Sequence, residues 1–185
     1  MGAEKLGLGT AQFGSGYGIS NEDGQVGSFA AARILSQARS SGINVIDTAI
    51  AYGSSEKVLG QIGIDSFSVV TKLPSLPLDL EEIERWVENQ VEASLVRLGQ
   101  SRLYGLLVHN SRDLSGAKAG KLIRALSSLK SNGIIENIGV SIYSPKELDL
   151  IYKKMSLDLV QAPLNVVDRR LEISGWLQQL HDDGV

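Results

Sequence analysis

The chain has 185 residues, 43% of them hydrophobic and 21% charged, with a formal net charge of -3 and a pI near 5.4. This composition is typical of a globular domain, and the small acidic charge argues against binding to nucleic acid. The absence of cysteine excludes disulfides, thiolate nucleophiles and Cys-ligated zinc, and two histidines make a His-rich metal site unexpected. No apolar run approaches the ~18 residues of a membrane span, and no secretory signal opens the sequence, so we expect a cytoplasmic protein without a membrane partner.

Short apolar runs typical of β-strands alternate along the chain with longer segments of helical periodicity. The predicted strands are 5–9, 44–47, 67–72, 103–109, 137–141 and 157–161. The predicted helices lie near 28–41, 54–62, 79–99, 117–132, 145–154 and 171–182. We expect the third helix to begin at an Asp79 N-cap, and Gly42, Gly99 and Gly133 to terminate three of the helices.

Continuous apolar strands that alternate with helices predict a parallel α/β architecture. Both a doubly wound sheet and a (β/α)₈ barrel fit this pattern. No linker or low-complexity segment divides the sequence, so we expect residues 1–185 to form a single domain.

Three of the predicted strands end in ionisable residues. Asp47, Lys72 and His109 directly follow the apolar runs of consecutive strands, and Tyr52 lies five residues after Asp47 in the next loop. Neighbouring strands are about 4.8 Å apart, and in β/α barrels the carboxyl ends of the strands form the active-site face. We therefore expect the four side chains to converge.

Together these residue types point to general acid catalysis. A free tyrosine has a pKa near 10, and we expect the Lys72 ammonium to lower the pKa of Tyr52 while Asp47 keeps the lysine charged and oriented. Tyr52 could then protonate a developing alkoxide, with His109 orienting the carbonyl by a hydrogen bond. No protein nucleophile is required if a cofactor delivers hydride.

Each of these residues also has a simpler interpretation. Asp47 could cap the following helix, Tyr52 could be a packed loop aromatic, and His109 could be a strand-end histidine with a structural hydrogen bond. Lys72 is harder to explain in this way, because a lysine after Val-Val-Thr in a buried strand needs a partner. His181, near the end of the last predicted helix, is assigned no function.

The segment 46–60, Ile-Asp-Thr-Ala-Ile-Ala-Tyr-Gly-Ser-Ser-Glu-Lys-Val-Leu-Gly, strongly resembles the aldo-keto reductase family. Further segments agree in order with the family's other strand motifs. They are Leu-Gly-Thr-Ala-Gln-Phe-Gly at 8–14, Thr-Lys-Leu at 71–73, Leu-Val-His-Asn at 107–110, Ile-Gly-Val-Ser at 138–141 and Val-Gln-Ala-Pro-Leu-Asn at 160–165.

The resemblance implies a (β/α)₈ TIM barrel that reduces an aldehyde or ketone, its small-molecule carbonyl substrate, with NADPH. It implies Tyr52 as the acid, with Asp47, Lys72 and His109 as its partners. Ser141 and Gln161 would bind the nicotinamide carboxamide, and Thr10 would lie near the nicotinamide or the substrate. Many members have Ser-Asn after the fifth strand, whereas Ile142 follows Ser141 here, so one carboxamide contact is missing or supplied otherwise.

Only six β/α units are present, so the resemblance predicts an incomplete barrel without strands seven and eight. In the family, the loops after those strands bind the cofactor phosphates. We expect a C-terminally truncated member whose 185 residues by themselves are inactive. Two alternatives to the enzyme remain: a non-catalytic binding or regulatory relative, and an inert fragment that lacks the phosphate site.

Overall fold

The computed structural model describes residues 5–19 and 21–185, and all six of its strands lie in one parallel sheet. The strands are β1 (Gly7–Gly9), β2 (Val45–Asp47), β3 (Ser68–Leu73), β4 (Leu103–Val108), β5 (Ile135–Ser141) and β6 (Leu159–Gln161). They are ordered β1-β2-β3-β4-β5-β6, and every neighbouring pair is parallel. A doubly wound sheet would reverse its order at a switch point. The unbroken order instead forms a curled half-barrel of the (β/α)₈ type, and this confirms the incomplete barrel that the family resemblance predicts.

Helices connect the strands and cover the outer face of the sheet. They are α1 (Ala11–Gly14), α2 (Ser28–Ser40), α3 (Ser55–Ile62), α4 (Ile83–Leu98), α5 (Ala119–Ser131), α6 (Lys146–Ile151), α7 (Arg170–Ile173) and α8 (Trp176–Asp182), with a 3₁₀ helix at Ser111–Leu114. The short helix α1, in the loop after β1, was not predicted.

Helix α4 begins later than the sequence predicts. It starts at Ile83, and its N-cap residue is Glu82, so the prediction of Asp79 as the N-cap is wrong. The segment before Ile83 makes other hydrogen bonds: the Leu76 amide donates to Asp113 at 3.0 Å, and the Leu80 amide donates to the Pro77 carbonyl at 3.3 Å. These contacts form a turn where helical periodicity had suggested another turn of helix.

Glycines account for the helix ends. Gly42, Gly99 and Gly133 follow α2, α4 and α5 with φ of 78°, 65° and 73°, a left-handed conformation that favours glycine, and this confirms their predicted role. Gly175, with φ 83°, divides the predicted helix at 171–182 into α7 and α8.

The core lies between the sheet and its helices. Ile83, Val87 and Val91 on α4 are buried with Leu106 on β4 and Leu126 on α5. β1 and β6 are the two edges of the sheet, each three residues long. Within the described ranges, no helix is long and apolar enough to cross a membrane.

Candidate active site

The centre of the candidate site is an ion pair at the carboxyl ends of β2 and β3. The Lys72 Nζ atom lies 2.6 Å from Asp47 Oδ1 and donates a second hydrogen bond of 2.9 Å to the Thr48 carbonyl. Lys72 is 1% exposed, whereas the Asp47 side chain is 25% exposed. A buried ammonium needs such partners, because removing it from water is costly. The predicted contact between Lys72 and Asp47 is confirmed.

Tyr52 and His109 lie beside this pair. The Tyr52 ring, in the loop between β2 and α3, has its centroid 5.1 Å from Lys72 Nζ. The His109 ring, directly after β4, packs edge-on against the Tyr52 ring with centroids 5.9 Å apart. The structure therefore brings together all four predicted catalytic residues at one end of the sheet.

The electrostatics of Tyr52 differ from the sequence-based expectation. Burial, followed by the nearby Asp47 carboxylate, raises the pKa of Tyr52 to about 12, so the expected lowering by Lys72 does not occur. Burial of the phenol is the larger cause of the raised pKa; in addition, the charge of Lys72 is paired with Asp47, and that carboxylate opposes the phenolate. Tyr52 consequently carries its proton at neutral pH.

The pKa values of the two basic groups are lowered. Burial lowers the pKa of Lys72, while the Asp47 carboxylate counteracts part of this effect. Burial, and then repulsion by Lys72, lowers the pKa of His109 below its usual 6.5. His109 is therefore neutral at pH 7, with one ring N–H available as a hydrogen-bond donor.

Thr10 lies behind Asp47 and faces away from solvent. It is fully buried, and its hydroxyl donates to the Asp47 carbonyl at 3.0 Å and accepts from Ser55 Oγ at 3.0 Å. Ser55 also contacts Thr48 Oγ1 at 3.1 Å. These hydroxyls tie the end of β1 to the segment 47–55. Sequence reasoning had not assigned Ser55 a role, although it lies three residues after Tyr52 in the same motif.

Ser141 and Gln161, at the ends of β5 and β6, lie together on the far side of the site. Ser141 Oγ donates to Gln161 Oε1 at 3.3 Å, and Gln161 Nε2 donates to Asp47 Oδ1 at 2.9 Å across the interior of the half-barrel. The Ile142 side chain is buried, and its amide donates to the Gln161 carbonyl at 2.8 Å. The position where many relatives have asparagine thus contributes packing.

A second buried cluster, also not anticipated from the sequence, centres on Glu56. Its carboxylate accepts from Thr71 and Ser94, each at 2.7 Å, and pairs with Arg97 at 2.7 Å, while the residue itself is 2% exposed. Thr71 directly precedes Lys72, so the cluster joins α3 and α4 to the strand that carries the lysine. In the sequence, the signal for this cluster was the Ser-Glu pair at 55–56, shortly after Tyr52-Gly53.

An open cleft of about 480 Å³ adjoins the site. His109 and Ser141 border it, together with Arg112, Tyr143 and Glu147. The Glu147 carboxylate is satisfied locally, since it accepts from Ser111 and from the amides of Tyr143 and Ser144. Among the residues that the structure describes, no group of three or more His, Asp or Glu side chains is arranged to hold a metal ion.

Comparison with known proteins identifies the family. The model of the aldo/keto reductase family matches residues 5–185. The chain belongs to the aldo/keto reductase family. It is 32% identical over 146 residues to an uncharacterized oxidoreductase of Mycobacterium bovis, a match that covers 76% of this chain and 42% of that protein. The chain thus spans about two-fifths of the length of the curated relatives it matches.

Solved aldo-keto reductases share its fold. One from Pseudomonas aeruginosa superimposes with a TM-score of 0.79 at 27% identity, over 97% of this chain and 70% of that one. A glycerol dehydrogenase from Gluconobacter oxydans gives a TM-score of 0.72 at 26% identity, over 97% of this chain and 57% of its own.

Proposed function

We propose that this aldo-keto reductase reduces an aldehyde or ketone to an alcohol with NADPH, and that Tyr52 is the general acid. The observation that carries the proposal is the buried Lys72–Asp47 ion pair beside Tyr52 and His109. Tyr52, next to a buried lysine with a single carboxylate partner, can act as the proton donor. The neutral His109 beside it can donate the hydrogen bond that orients the carbonyl.

Ser141 and Gln161 would hold the nicotinamide end of NADPH, which would supply the hydride for the carbonyl carbon. The neutral His109 imidazole donates a hydrogen bond that orients the carbonyl oxygen. The Tyr52 hydroxyl, which retains its proton at neutral pH, transfers that proton to the oxygen as negative charge develops there. Lys72 stabilises the phenolate that remains, and Asp47 holds the ammonium in place at 2.6 Å.

The side chains at β5 and β6 suit the nicotinamide end of the cofactor. A carboxamide offers one acceptor and two donors, and the Ser141 hydroxyl and Gln161 amide can satisfy both kinds of group. Gln161 already makes such a pair of contacts, donating to Asp47 and accepting from Ser141. We assign these two residues to the carboxamide, and we assign Thr10 to the support of Asp47, since its hydroxyl bonds to Asp47 and Ser55.

The phosphate end of NADPH is a different matter. The arginines that follow β6 are already paired with carboxylates: Arg169 with Glu172 at 2.7 Å and Arg170 with Asp168 at 2.7 Å. A completed barrel is one in which two further β/α units follow this chain. Each charged hydrogen bond to phosphate contributes about 1.5–3 kcal/mol, so we expect the 185-residue chain by itself to bind NADPH at least about 100-fold more weakly than a completed barrel.

Two measurements test the proposal. In fluorescence titrations, NADPH should bind the completed barrel and bind the 185-residue chain weakly or not at all; tight binding to the short chain would contradict the assignment of the phosphate site. The completed barrel should then oxidise NADPH in the presence of simple aldehydes, with one alcohol formed for each NADPH consumed. NADPH binding without turnover of any aldehyde or ketone would instead favour a binding or regulatory relative, and a completed barrel that binds no NADPH would contradict the proposed cofactor.

A further inference from the structure

Gln161 makes a contact that spans the interior of the half-barrel. It lies at the end of the edge strand β6, and its Nε2 atom donates to Asp47 Oδ1 at 2.9 Å. The strands β6 and β2 are not neighbours in the sheet, because β3, β4 and β5 lie between them. The contact therefore joins two strand ends that backbone pairing does not connect.

The Asp47 carboxylate is held by two side-chain donors at the same oxygen. Lys72 Nζ lies 2.6 Å from Oδ1, and Gln161 Nε2 lies 2.9 Å from it. The Asp47 side chain is partly exposed, and the terminal torsion of an aspartate is broad, so a single donor would leave the carboxylate free to turn. Thr10 binds the backbone carbonyl of Asp47 and does not restrain this torsion. Gln161 therefore sets the direction of the carboxylate together with Lys72.

The Lys72–Asp47 ion pair depends on the direction of this carboxylate. Lys72, at 1% exposure, donates to Asp47 Oδ1 and to the Thr48 carbonyl at 2.9 Å, so a turn of the carboxylate would remove one of two partners from a buried ammonium. Burial and then the Asp47 carboxylate raise the pKa of Tyr52 to about 12. The charge that Tyr52 faces therefore also depends on where the carboxylate is held.

The Gln161 amide has the capacity to contact a carboxamide at the same time. A primary amide has two N–H donors and an oxygen with two lone pairs. One donor is used by Asp47, and one lone pair is used by Ser141 Oγ at 3.3 Å. One N–H and one lone pair remain, and they match the oxygen and an N–H of a carboxamide. The contact with Asp47 is therefore neither required for carboxamide binding nor in competition with it.

We infer that Gln161 is a positioning residue for the chemical step, because its hydrogen bond fixes the Asp47 carboxylate that pairs with Lys72 beside Tyr52. The inference rests on the proposed function, and it adds a second role to a residue already assigned to the carboxamide. Gln161 acts through Asp47 and transfers no proton itself. Substitution of Gln161 therefore disturbs the ion pair even when no cofactor is bound, which loss of a carboxamide contact alone would not do.

The first test observes the ion pair in the chain without cofactor. The protein is labelled with ¹³C at the aspartate carboxyl carbons and with ¹⁵N at the lysine Nζ atoms, and its NMR spectra are compared with those of Gln161→Met. We expect the Asp47 and Lys72 resonances to shift, because methionine has the length of glutamine but no N–H donor. Gln161→Asn, which keeps the amide on a shorter side chain, should shift the same resonances. The matched control is Gln100→Met, which removes an exposed contact of 3.3 Å with Asp65 and should leave both resonances unchanged.

The second test compares single-turnover rates of the completed barrel at saturating NADPH, so that weaker cofactor binding does not enter. Gln161→Met should slow carbonyl reduction about tenfold when Asp47 is present and less than about twofold in an Asp47→Ala background, since one hydrogen bond to a charged group has an effect of this order. Equal losses in both backgrounds, no loss in either, or unshifted Asp47 and Lys72 resonances in the first test would overturn the inference. Failure of the wild type to reduce any aldehyde would refute the proposed function instead, and the first test would then decide whether Gln161 positions the ion pair.

Discussion

The middle strands of the sheet are longer and more buried than its two edge strands. β3 and β4 have six residues each, and nearly every position is buried, whereas β1 and β6 have three residues each and are only partly covered. Of the four proposed catalytic residues, Asp47 and Lys72 lie on β2 and β3, while Tyr52 and His109 follow β2 and β4; the two proposed nicotinamide contacts lie on β5 and β6. The side chains proposed for the chemical step therefore depend on neighbouring strands in the described half-barrel, while the proposed nicotinamide contacts depend on β5 and the edge strand β6.

Because of this difference, we expect that substitutions can affect the proposed chemical step and the proposed cofactor contacts separately. Lys72 and Asp47 are positioned by the pairing of β2 with β3 and by their ion pair, and Tyr52 lies in the loop after β2. Gln161 lies on an edge strand and reaches across the interior to Asp47, so its hydrogen bond links the two regions.

The largest effect is expected from Lys72→Met in the completed barrel. Removal of the ammonium leaves the Asp47 carboxylate next to Tyr52, and that carboxylate already raises the pKa of the phenol. The acid becomes weaker and the phenolate loses its stabilising charge, so kcat should fall by about 10²–10⁴-fold. Steady-state kinetics with NADPH and an aldehyde measure this change, and NADPH affinity by fluorescence should be nearly unchanged. A kcat within tenfold of wild type would remove Lys72 from the mechanism.

A large loss of stability is expected from Arg97→Met. The substitution leaves the buried Glu56 carboxylate with only the Thr71 and Ser94 hydroxyls as donors. Loss of one partner of a fully buried pair costs about 3–5 kcal/mol, and because the Arg97 side chain is 35% exposed we expect about 2–3 kcal/mol. Urea unfolding measures this difference. The control is Arg124→Met, which removes an exposed pair with Glu84 and should change the free energy of unfolding by less than about 1 kcal/mol.

A smaller effect on stability is expected from Gly14→Ala. The new Cβ would collide with the Tyr52 carbonyl, so the loop after β1 and the segment that carries Tyr52 must separate. Overpacking of this kind typically costs about 1–3 kcal/mol. The matched substitution Gly27→Ala meets no atom within 4 Å and should have little effect. Similar unfolding free energies for the two variants would show that the close approach of Gly14 to Tyr52 is not needed.

Hydrophobic periodicity and strand-end position predicted the general positions of the strands and helices and the convergence of four side chains, because these signals act locally along the chain. The barrel order of the strands was predicted by the family resemblance, since periodicity left a doubly wound sheet equally open. The sequence did not predict that α4 begins at Ile83, since the contacts of Leu76 and Asp113 that hold the preceding segment are 37 residues apart. The raised pKa of Tyr52 was missed for a related reason. The pairing of Lys72 with Asp47 was predicted, but the burial of the phenol and the effect of the nearby Asp47 carboxylate on its pKa depend on tertiary geometry.

The Glu56 cluster was missed for the same reason, although the Ser-Glu pair was a signal for it. Glu56 on α3 is joined to Arg97 on α4, which lies 41 residues away along the chain. A glutamate at the start of a helix would ordinarily be interpreted as a solvated residue that favours the helix dipole. Its burial, at 2% exposure, becomes apparent only when α3 and α4 pack together.

The most direct test of the proposed mechanism is the rate of hydride transfer in single turnovers of the completed barrel carrying Tyr52→Phe. Tyr104→Phe, which removes a hydroxyl from a tyrosine on β4, is the control. We expect Tyr52→Phe to slow carbonyl reduction by at least about 10²-fold while NADPH affinity stays nearly constant, and Tyr104→Phe to match the wild type. A Tyr52→Phe protein that reduces the carbonyl at a near-normal rate would contradict the assignment of Tyr52 as the general acid.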